Sequence, residues 1–316
     1  MKVYNLTEIK DALIGLNIIP EIENGFVQYS DGNVIVPPVG ELIFEEPPGD
    51  VHIKYGYIKN DDIYVIKIAS GFFKNTDLGL QSSQGMMLMF SQKSGKPVAI
   101  LHDEGYLTNI RTAAAGAVVA KYLAPNNVNC IGIVGTGTQA HLQLEFLKGI
   151  IDCKNVMVWG RNKEHSSQYC EDFLSQGYSI TIADLKSLSR SCNYIITTTP
   201  ATEPLIQADW IQPGTHITAM GSDTQGKQEL DNKILKRADV VVADSISQCI
   251  ERGEIAKALN TNVLDLTDIV ELGHVISGKA DGRTDGSQIT VADLTGVAVQ
   301  DIQITKAVFN SLEHVS

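Results

Sequence analysis

No apolar run in this 316-residue chain reaches the ~18–20 residues needed to cross a bilayer. The opening stretch, Met1–Gly15, is amphipathic and lacks the apolar centre of a secretion signal. Cysteine is sparse. Cys130, Cys153, Cys170, Cys192 and Cys249 are odd in number, form no C-x-x-C and have no metal-type spacing. They are expected to be free thiols in a reducing cytoplasm. The seven histidines fall into no HxxxH or HExxH pattern, so no metal is expected. There is no GxSxG nucleophile turn. Positive charge is also short: 25 Lys+Arg face 37 Asp+Glu, a formal net charge of −12, with no basic cluster to attract a polyanion. Membrane and nucleic-acid partners are therefore not expected. A chain that is 43% hydrophobic and 20% charged has the ordinary balance of a folded globular protein, and its length suggests two domains.

What is present changes character along the chain. The first hundred residues read as strands at Asn33–Val36, Val51–Tyr57, Ile63–Ala69, Met86–Ser91 and Val98–Leu101, separated by Pro, Gly, Asn and Asp turns. A helix is predicted near the start, capped by Thr7. The Ala-rich stretch Thr108–Ala124 reads as a long connector helix. From Cys130 the pattern becomes strand–helix–strand, with strands at Cys130–Val134, Asn155–Trp159, Tyr178–Ala183, Tyr194–Thr197, His216–Met220, Val240–Ala243 and Val263–Asp265. Helices are predicted at Gln139–Ile151, Glu164–Gln176 and Leu185–Ser191. Such alternation predicts an α/β fold with a doubly wound, Rossmann-type parallel sheet. The last stretch, Asp293–Leu312, reads as a helix returning to the first domain. The expected division is a mixed α+β substrate-binding and dimerisation domain, residues 1–113 with 296–316, and a Rossmann dinucleotide-binding domain, residues 114–295.

The clearest local signal is Gly135-Thr136-Gly137-Thr138-Gln139-Ala140, between an apolar strand and an amphipathic helix. Gly135 allows a tight turn, Gly137 lets backbone approach a pyrophosphate, and Ala140 keeps helix and strand close. The helix N-terminus then offers N–H groups and its positive dipole end to phosphate. At the end of the second strand an acid would bind the ribose hydroxyls of NAD. Here the residues are Arg161, Asn162 and Lys163, which suit a 2′-phosphate, so NADP(H) is favoured and NAD(H) remains open.

Several motifs, in order along nearly the whole chain, resemble the ornithine cyclodeaminase/μ-crystallin family. They are Tyr64-Val-Ile-Lys67-Ile-Ala-Ser-Gly71, Ile110-Arg111-Thr112-Ala-Ala-Ala-Gly116, the glycine turn, Met220-Gly-Ser-Asp223-Thr-Gln-Gly-Lys-Gln-Glu-Leu230 and Asp293-Leu-Thr-Gly-Val-Ala-Val-Gln-Asp301. The family also holds archaeal-type alanine dehydrogenases and ketimine or pyrroline-carboxylate reductases. The resemblance implies a homodimer formed through the N-terminal domains, and a site in the cleft between domains. It implies hydride transfer between a nicotinamide and the α-carbon of an imino or amino acid. It assigns Arg111 to the substrate carboxylate, Lys67 to the carboxylate or imine, and Asp223 to acid/base chemistry. Thr112 and Asp293 are expected at the cofactor. Reduction of C=N needs a proton at nitrogen as the hydride arrives, which an Asp or Lys in a dry cleft can deliver.

The departures from the family bear on the substrate. Ornithine cyclodeaminases carry a Glu thirteen residues before the Lys, to grip a second ammonium; here that position is Lys54. No arginine precedes Arg111, and Gly71-Phe-Phe-Lys-Asn75 replaces the family's Gly-x-Pro loop. Lys54 would repel the second ammonium of ornithine, and would instead serve the carboxylate or a second acidic group. His52 shares its strand face and could read an acidic or polar substrate tail. Ammonia-eliminating cyclisation with recycled NAD, and a μ-crystallin-like ligand-binding role for a structural NADPH, are the alternatives. Asp103 and Glu104 are expected in a solvated loop, with pairing to Lys67 or placement of a water as the alternative.

Overall fold

The computed structural model describes residues 1–315; Ser316, which closes the expected domain span 296–316, lies outside the described residues. The chain divides into two compact units, Met1–Ala114 with Val297–Ser316 and Ala115–Gly296.

The first unit holds a seven-stranded sheet of β1 (Lys2–Tyr4), β2 (Val34–Ile35), β3 (Gly40–Phe44), β4 (Gly49–Ile58), β5 (Ile63–Gly71), β6 (Ser83–Ser91) and β7 (Pro97–Leu101). Its order is β1-β7-β6-β5-β4-β2, with β3 also paired to β4. The pairs are antiparallel except β1 on β7, so the N-terminal strand makes the sheet mixed. One face follows period-two alternation: Ile58, Ile63, Val65, Met87, Met89, Ala99 and Leu101 are buried. Helices Leu6–Leu13, Ile19–Ser30 and Ala298–Val315 complete the unit with the start of helix Tyr106–Leu123. The C-terminal helix packs on Ile19–Ser30 and on β4 and β5. Gly25 permits that approach, since a Cβ there would stand 2.9 Å from Gln303 Cγ.

Some local expectations are corrected. The first helix is capped by Asn5, whose side chain accepts from Thr7 and Glu8 N–H while Glu8 reaches back to the Asn5 N–H. Thr7 lies inside the helix. Helix Ile19–Ser30 went unread, although Pro20 near its start and buried Ile22 and Phe26 are ordinary helix signals.

The second unit is an eight-stranded sheet of β8 (Ile131–Val134), β9 (Asn155–Trp159), β10 (Ser179–Ile182), β11 (Tyr194–Thr197), β12 (His216–Ala219), β13 (Val240–Ala243), β14 (Ile269–Glu271) and β15 (Thr290–Asp293). All pairs are parallel, in the order β10-β9-β8-β11-β12-β15-β13-β14. The chain winds outward from β8 through β9 to β10, then restarts at β11 on the other side, making a topological switch point between β8 and β11. No strand forms over Val263–Asp265; a short turn at Leu266–Asp268 leads into β14 instead. The final helix begins at Ala298, and Asp293 ends β15, which lies fully buried in the sheet's interior. The glycine-turn helix stops at Phe146, short of the expected Ile151.

Among the described residues no helix is long and apolar enough to cross a membrane, and no group of three or more His, Cys, Asp or Glu is arranged to hold a metal.

Candidate functional site

In the parallel-sheet unit, β8 is buried at every position and runs into the glycine turn. Gly135 has φ +123°, and a Cβ on it would stand 2.4 Å from Thr198 Oγ1, so only glycine fits. Gly137 begins the following helix, Thr138–Phe146, with no side-chain cap, and a Cβ there would meet nothing within 4 Å. Backbone N–H groups at this helix start are therefore open to an anion. Thr138 and Gln139 are its first two residues, and Ala140 is fully buried beneath them.

These residues border a cavity of about 670 Å³ at the C-terminal ends of β8, β9 and β11. Gly135, Thr136 and Gly137 form its floor, Trp159, Gly160, Arg161, Asn162 and His165 one wall, and Thr198, Thr199, Pro200, Ala201 and Leu205 another. Its position at the switch point and its size suit a dinucleotide. Arg161 is exposed at the rim, and among the described residues no carboxylate lines the cavity. Asn162 turns its side chain to cap helix Lys163–Leu174, accepting from Glu164 and His165 N–H at 2.7 and 3.2 Å. Lys163 is exposed at the start of that helix.

Asp223 follows β12 and is half exposed, accepting from Lys227 Nζ at 2.7 Å. Asp293 is buried and accepts from the Ile255 N–H at 2.8 Å, capping helix Gly253–Asn260 of the same unit. Burial, with Glu254 nearby, pushes its carboxyl well above the usual range.

The other unit gathers the predicted cations. Lys54 on β4 lies directly opposite Lys67 on β5, and Lys67 opposite Met87 on β6, so this row of side chains shares the core face. Lys67 is 2% exposed and Arg111 5%. Both reach Asp301 in the first turn of the C-terminal helix: Lys67 Nζ at 3.1 Å and Arg111 Nε at 3.0 Å. Arg111 Nη1 also donates to Gln300 Oε1 at 3.1 Å. Burial, together with the Arg111 charge, brings Lys67 down to about 7 despite Asp301. Burial alone would raise Asp301, but Arg111, Lys67 and Lys54 together hold it below the ordinary carboxylate range. Lys54, Lys67 and Arg111 thus bring three cationic groups to Asp301, and the buried Asp103 carboxyl also acts on Lys67.

Asp103 is fully buried, correcting the expectation of a solvated loop. Its Oδ2 accepts from the Leu107 N–H at 2.7 Å, capping helix Tyr106–Leu123, and burial raises its carboxyl. His52 lies half-buried between Glu41 at 3.5 Å and Asp50 at 3.6 Å, an acidic setting for a residue expected to meet an acidic tail. Thr112 turns its hydroxyl back to the Thr108 carbonyl of its own helix at 2.8 Å. Gln300 and Asp301 close the last family motif, but nothing in the sequence signals that they pair with Lys67 and Arg111. Buried Glu229 lies within the motif Met220–Leu230 but carries no expected role, and nothing in the local pattern of buried Glu254 distinguishes it from a surface acid.

A parallel doubly wound sheet with an open glycine turn above a switch-point cavity defines a Rossmann-type dinucleotide-binding protein, here joined to a mixed α+β unit. The family model described as "Ornithine cyclodeaminase/mu-crystallin family" matches residues 2–316, and the chain belongs to that family. It is 37% identical over 295 residues to an alanine dehydrogenase of Archaeoglobus fulgidus, covering 92% of this chain and 88% of the relative. Among solved structures, an archaeal alanine dehydrogenase dimer with bound NAD superposes with a TM-score of 0.92 at 32% identity, covering 100% of this chain and 97% of that one. The iminosuccinate reductase of Paracoccus denitrificans in complex with NAD+ gives 0.90 at 28% identity, covering 100% and 97%.

Proposed function

We propose that this chain is a nicotinamide-dependent oxidoreductase that transfers a hydride at the α-carbon of an α-imino or α-amino acid. The observation that carries the reading is the buried cluster of Lys54, Lys67 and Arg111 around Asp301, charged to receive a carboxylate. The uncapped helix start and the open Gly137 fit the pyrophosphate of a dinucleotide, held by Gly135–Ala140 with Thr136 and Thr198 at the cavity wall. When bound, the nicotinamide supplies or takes the hydride.

The chain's own residues supply the rest. Arg111 binds the substrate carboxylate through its guanidinium, and Asp301 and Gln300 hold that guanidinium in one orientation. Lys67 and Lys54 add charge beside it. With Lys67 near neutrality, it is also able to give up or regain a proton at the substrate without a large cost. Asp223, partnered by Lys227, is the proton shuttle to the substrate nitrogen. His52 serves at most the substrate's far end. Thr112 and Asp293 remain the proposed cofactor residues, each also bonded to helix backbone, at the Thr108 carbonyl and the Ile255 N–H.

NADP(H) is the preferred cofactor, supported by Arg161 at the cavity and the lack of a carboxylate along its described lining. A homodimer through the first unit is supported by exposed Ile35, Leu42, Phe44, Tyr55 and Tyr57 on one face of β2, β3 and β4, apolar surface of the kind that marks an interface. Five free cysteines suit the cytoplasm.

The test is absorbance of NADPH and NADH with pyrroline-2-carboxylate, piperideine-2-carboxylate, and pyruvate or oxaloacetate plus ammonium. Cofactor oxidation is expected, faster with NADPH. Ornithine with NAD is expected to be inert, because buried Lys54 replaces the Glu that the family resemblance assigns to a second ammonium. Ammonia release from ornithine without net absorbance change would instead establish a cyclodeaminase. Tight NADPH binding with no turnover of any compound would favour a ligand-binding protein.

A further inference from the structure

Two neighbouring loops of the parallel-sheet unit carry groups used above. One follows β11 and runs Thr198-Thr199-Pro200-Ala201 along the cavity wall. The other follows β12 and carries Gly221, Ser222 and Asp223. A fully buried carboxylate holds both. Glu229 Oε1 accepts from the Thr199 backbone N–H at 2.6 Å and the Thr199 hydroxyl at 2.7 Å. Its Oε2 accepts from the Thr197 hydroxyl at 2.7 Å and the Gly221 backbone N–H at 2.9 Å. Four donors on two oxygens fill the acceptor capacity of a carboxylate.

The surroundings are built for this contact. A Cβ on Gly221 would stand 2.1 Å from the Thr199 carbonyl oxygen and 2.5 Å from Glu229 Oε2, so the close approach requires glycine. Glu229 is itself anchored: its N–H donates to Glu254 Oε1 at 2.7 Å, and Glu254 also accepts from the Leu230 N–H and the Ser222 hydroxyl. Ser222 and Gly221, the two residues before Asp223, are thus each tied to a buried acid.

We infer that Glu229 is a positioning residue: its carboxylate clamps the loop lining the cofactor cavity to the loop carrying Asp223, and so fixes where the Asp223 carboxyl meets the reacting atoms. The inference rests on the reading of Asp223 as proton shuttle.

Glu229→Gln is a sharp test. Each carboxylate oxygen holds one backbone N–H, and an amide has one oxygen. Whichever way the amide turns, its NH2 group faces a backbone N–H that cannot reverse its role, although the threonine hydroxyls can. The variant therefore loses a tether while keeping its volume. In hydrogen–deuterium exchange on the full chain, with and without NADPH, one or both loops (residues 197–202 and 220–226) are expected to exchange at least ~10-fold faster, with β8 and β13 unchanged. Unaltered exchange in both loops overturns the clamp.

With the best substrate of the imino-acid panel, kcat is expected to fall about 10- to 100-fold while KM stays within about threefold. On an Asp223→Asn background, Glu229→Gln is expected to add less than about threefold. An equal loss on both backgrounds means that Glu229 acts independently of Asp223, and the inference fails. Full turnover by Asp223→Asn alone sinks the proton-shuttle reading instead, leaving the exchange result to judge the clamp. Should Glu229→Gln not fold, Glu229→Asp keeps the charge, shortens the reach, and is expected to show the same pattern more weakly.

Discussion

Two buried ionic clusters, one in each unit, meet the cost of burial in opposite ways. In the parallel-sheet unit, Glu229, Glu254, Asp293 and Asp244 are almost wholly buried, and each accepts from backbone N–H groups: Thr199 and Gly221, Glu229 and Leu230, Ile255, and Gly296. Neutral donors fixed in the main chain hold these acids, and burial raises the carboxyls of Glu254 and Asp293. In the mixed unit, Lys54, Lys67 and Arg111 are long cationic side chains drawn around Asp301, with more positive than negative charge. The first arrangement is a frame, complete without a ligand. The second gathers three cations around one acid, and is the cluster proposed to take the substrate carboxylate. A buried acid therefore says little about function until its donors are counted.

The contrast is broken most directly at the two aspartates. Asp301→Asn removes the counter-charge of two buried ion pairs and is expected to destabilise the fold by about 3–5 kcal/mol in urea unfolding. Arg111→Ala is expected to cut kcat/KM for the imino acid by about 10²–10³ while NADPH affinity changes less than about twofold. A parallel loss of cofactor affinity would show that the cluster does not serve the substrate alone.

Lys67 sharpens the comparison through pH. Its folded-state value near 7 lies below the ordinary ~10.4, so between those values the unfolded chain holds the extra proton. Stability is then expected to rise with pH across that window, by up to about 1.4 kcal/mol per unit, and to flatten in Lys67→Met. Chemical denaturation between pH 7 and 10 reads the slope. The smallest effect is expected for Asp293→Asn. Its carboxyl is pushed toward the neutral form and takes backbone N–H from Ile255 and Glu254; the amide keeps an oxygen for one of them, at a cost of about 1–2 kcal/mol. Equal losses from Asp293→Asn and Asp301→Asn would erase the distinction between frame and binding site.

The parallel sheet was largely legible. Asn155–Trp159, Tyr194–Thr197 and Val240–Ala243 are strands with the expected bounds, because short β-branched runs between helices carry their own signal. Asp293 was misread as helix-starting because β15 is as apolar as the helix after it, and periodicity cannot divide two adjoining buried segments. Asp103 looked like a loop acid, yet it is buried as the cap of the next helix. Lys67 interrupted an apolar run in a visible way; its partner, 234 positions along the chain, did not.

The sequence alone determined the glycine turn, its strand and its helix, since Gly135, Gly137 and Ala140 act on neighbours within a few residues and local sterics suffice to specify them. Motif order along the chain likewise carried the family. Only tertiary structure decided which charges share a site. Lys54 meets Lys67 through the register of β4 on β5, and Asp301 meets Lys67 and Arg111 because the C-terminal helix packs back on those strands. Charge–charge energy depends on distance and on removal from water, and across such separations both are set by packing, not by sequence spacing.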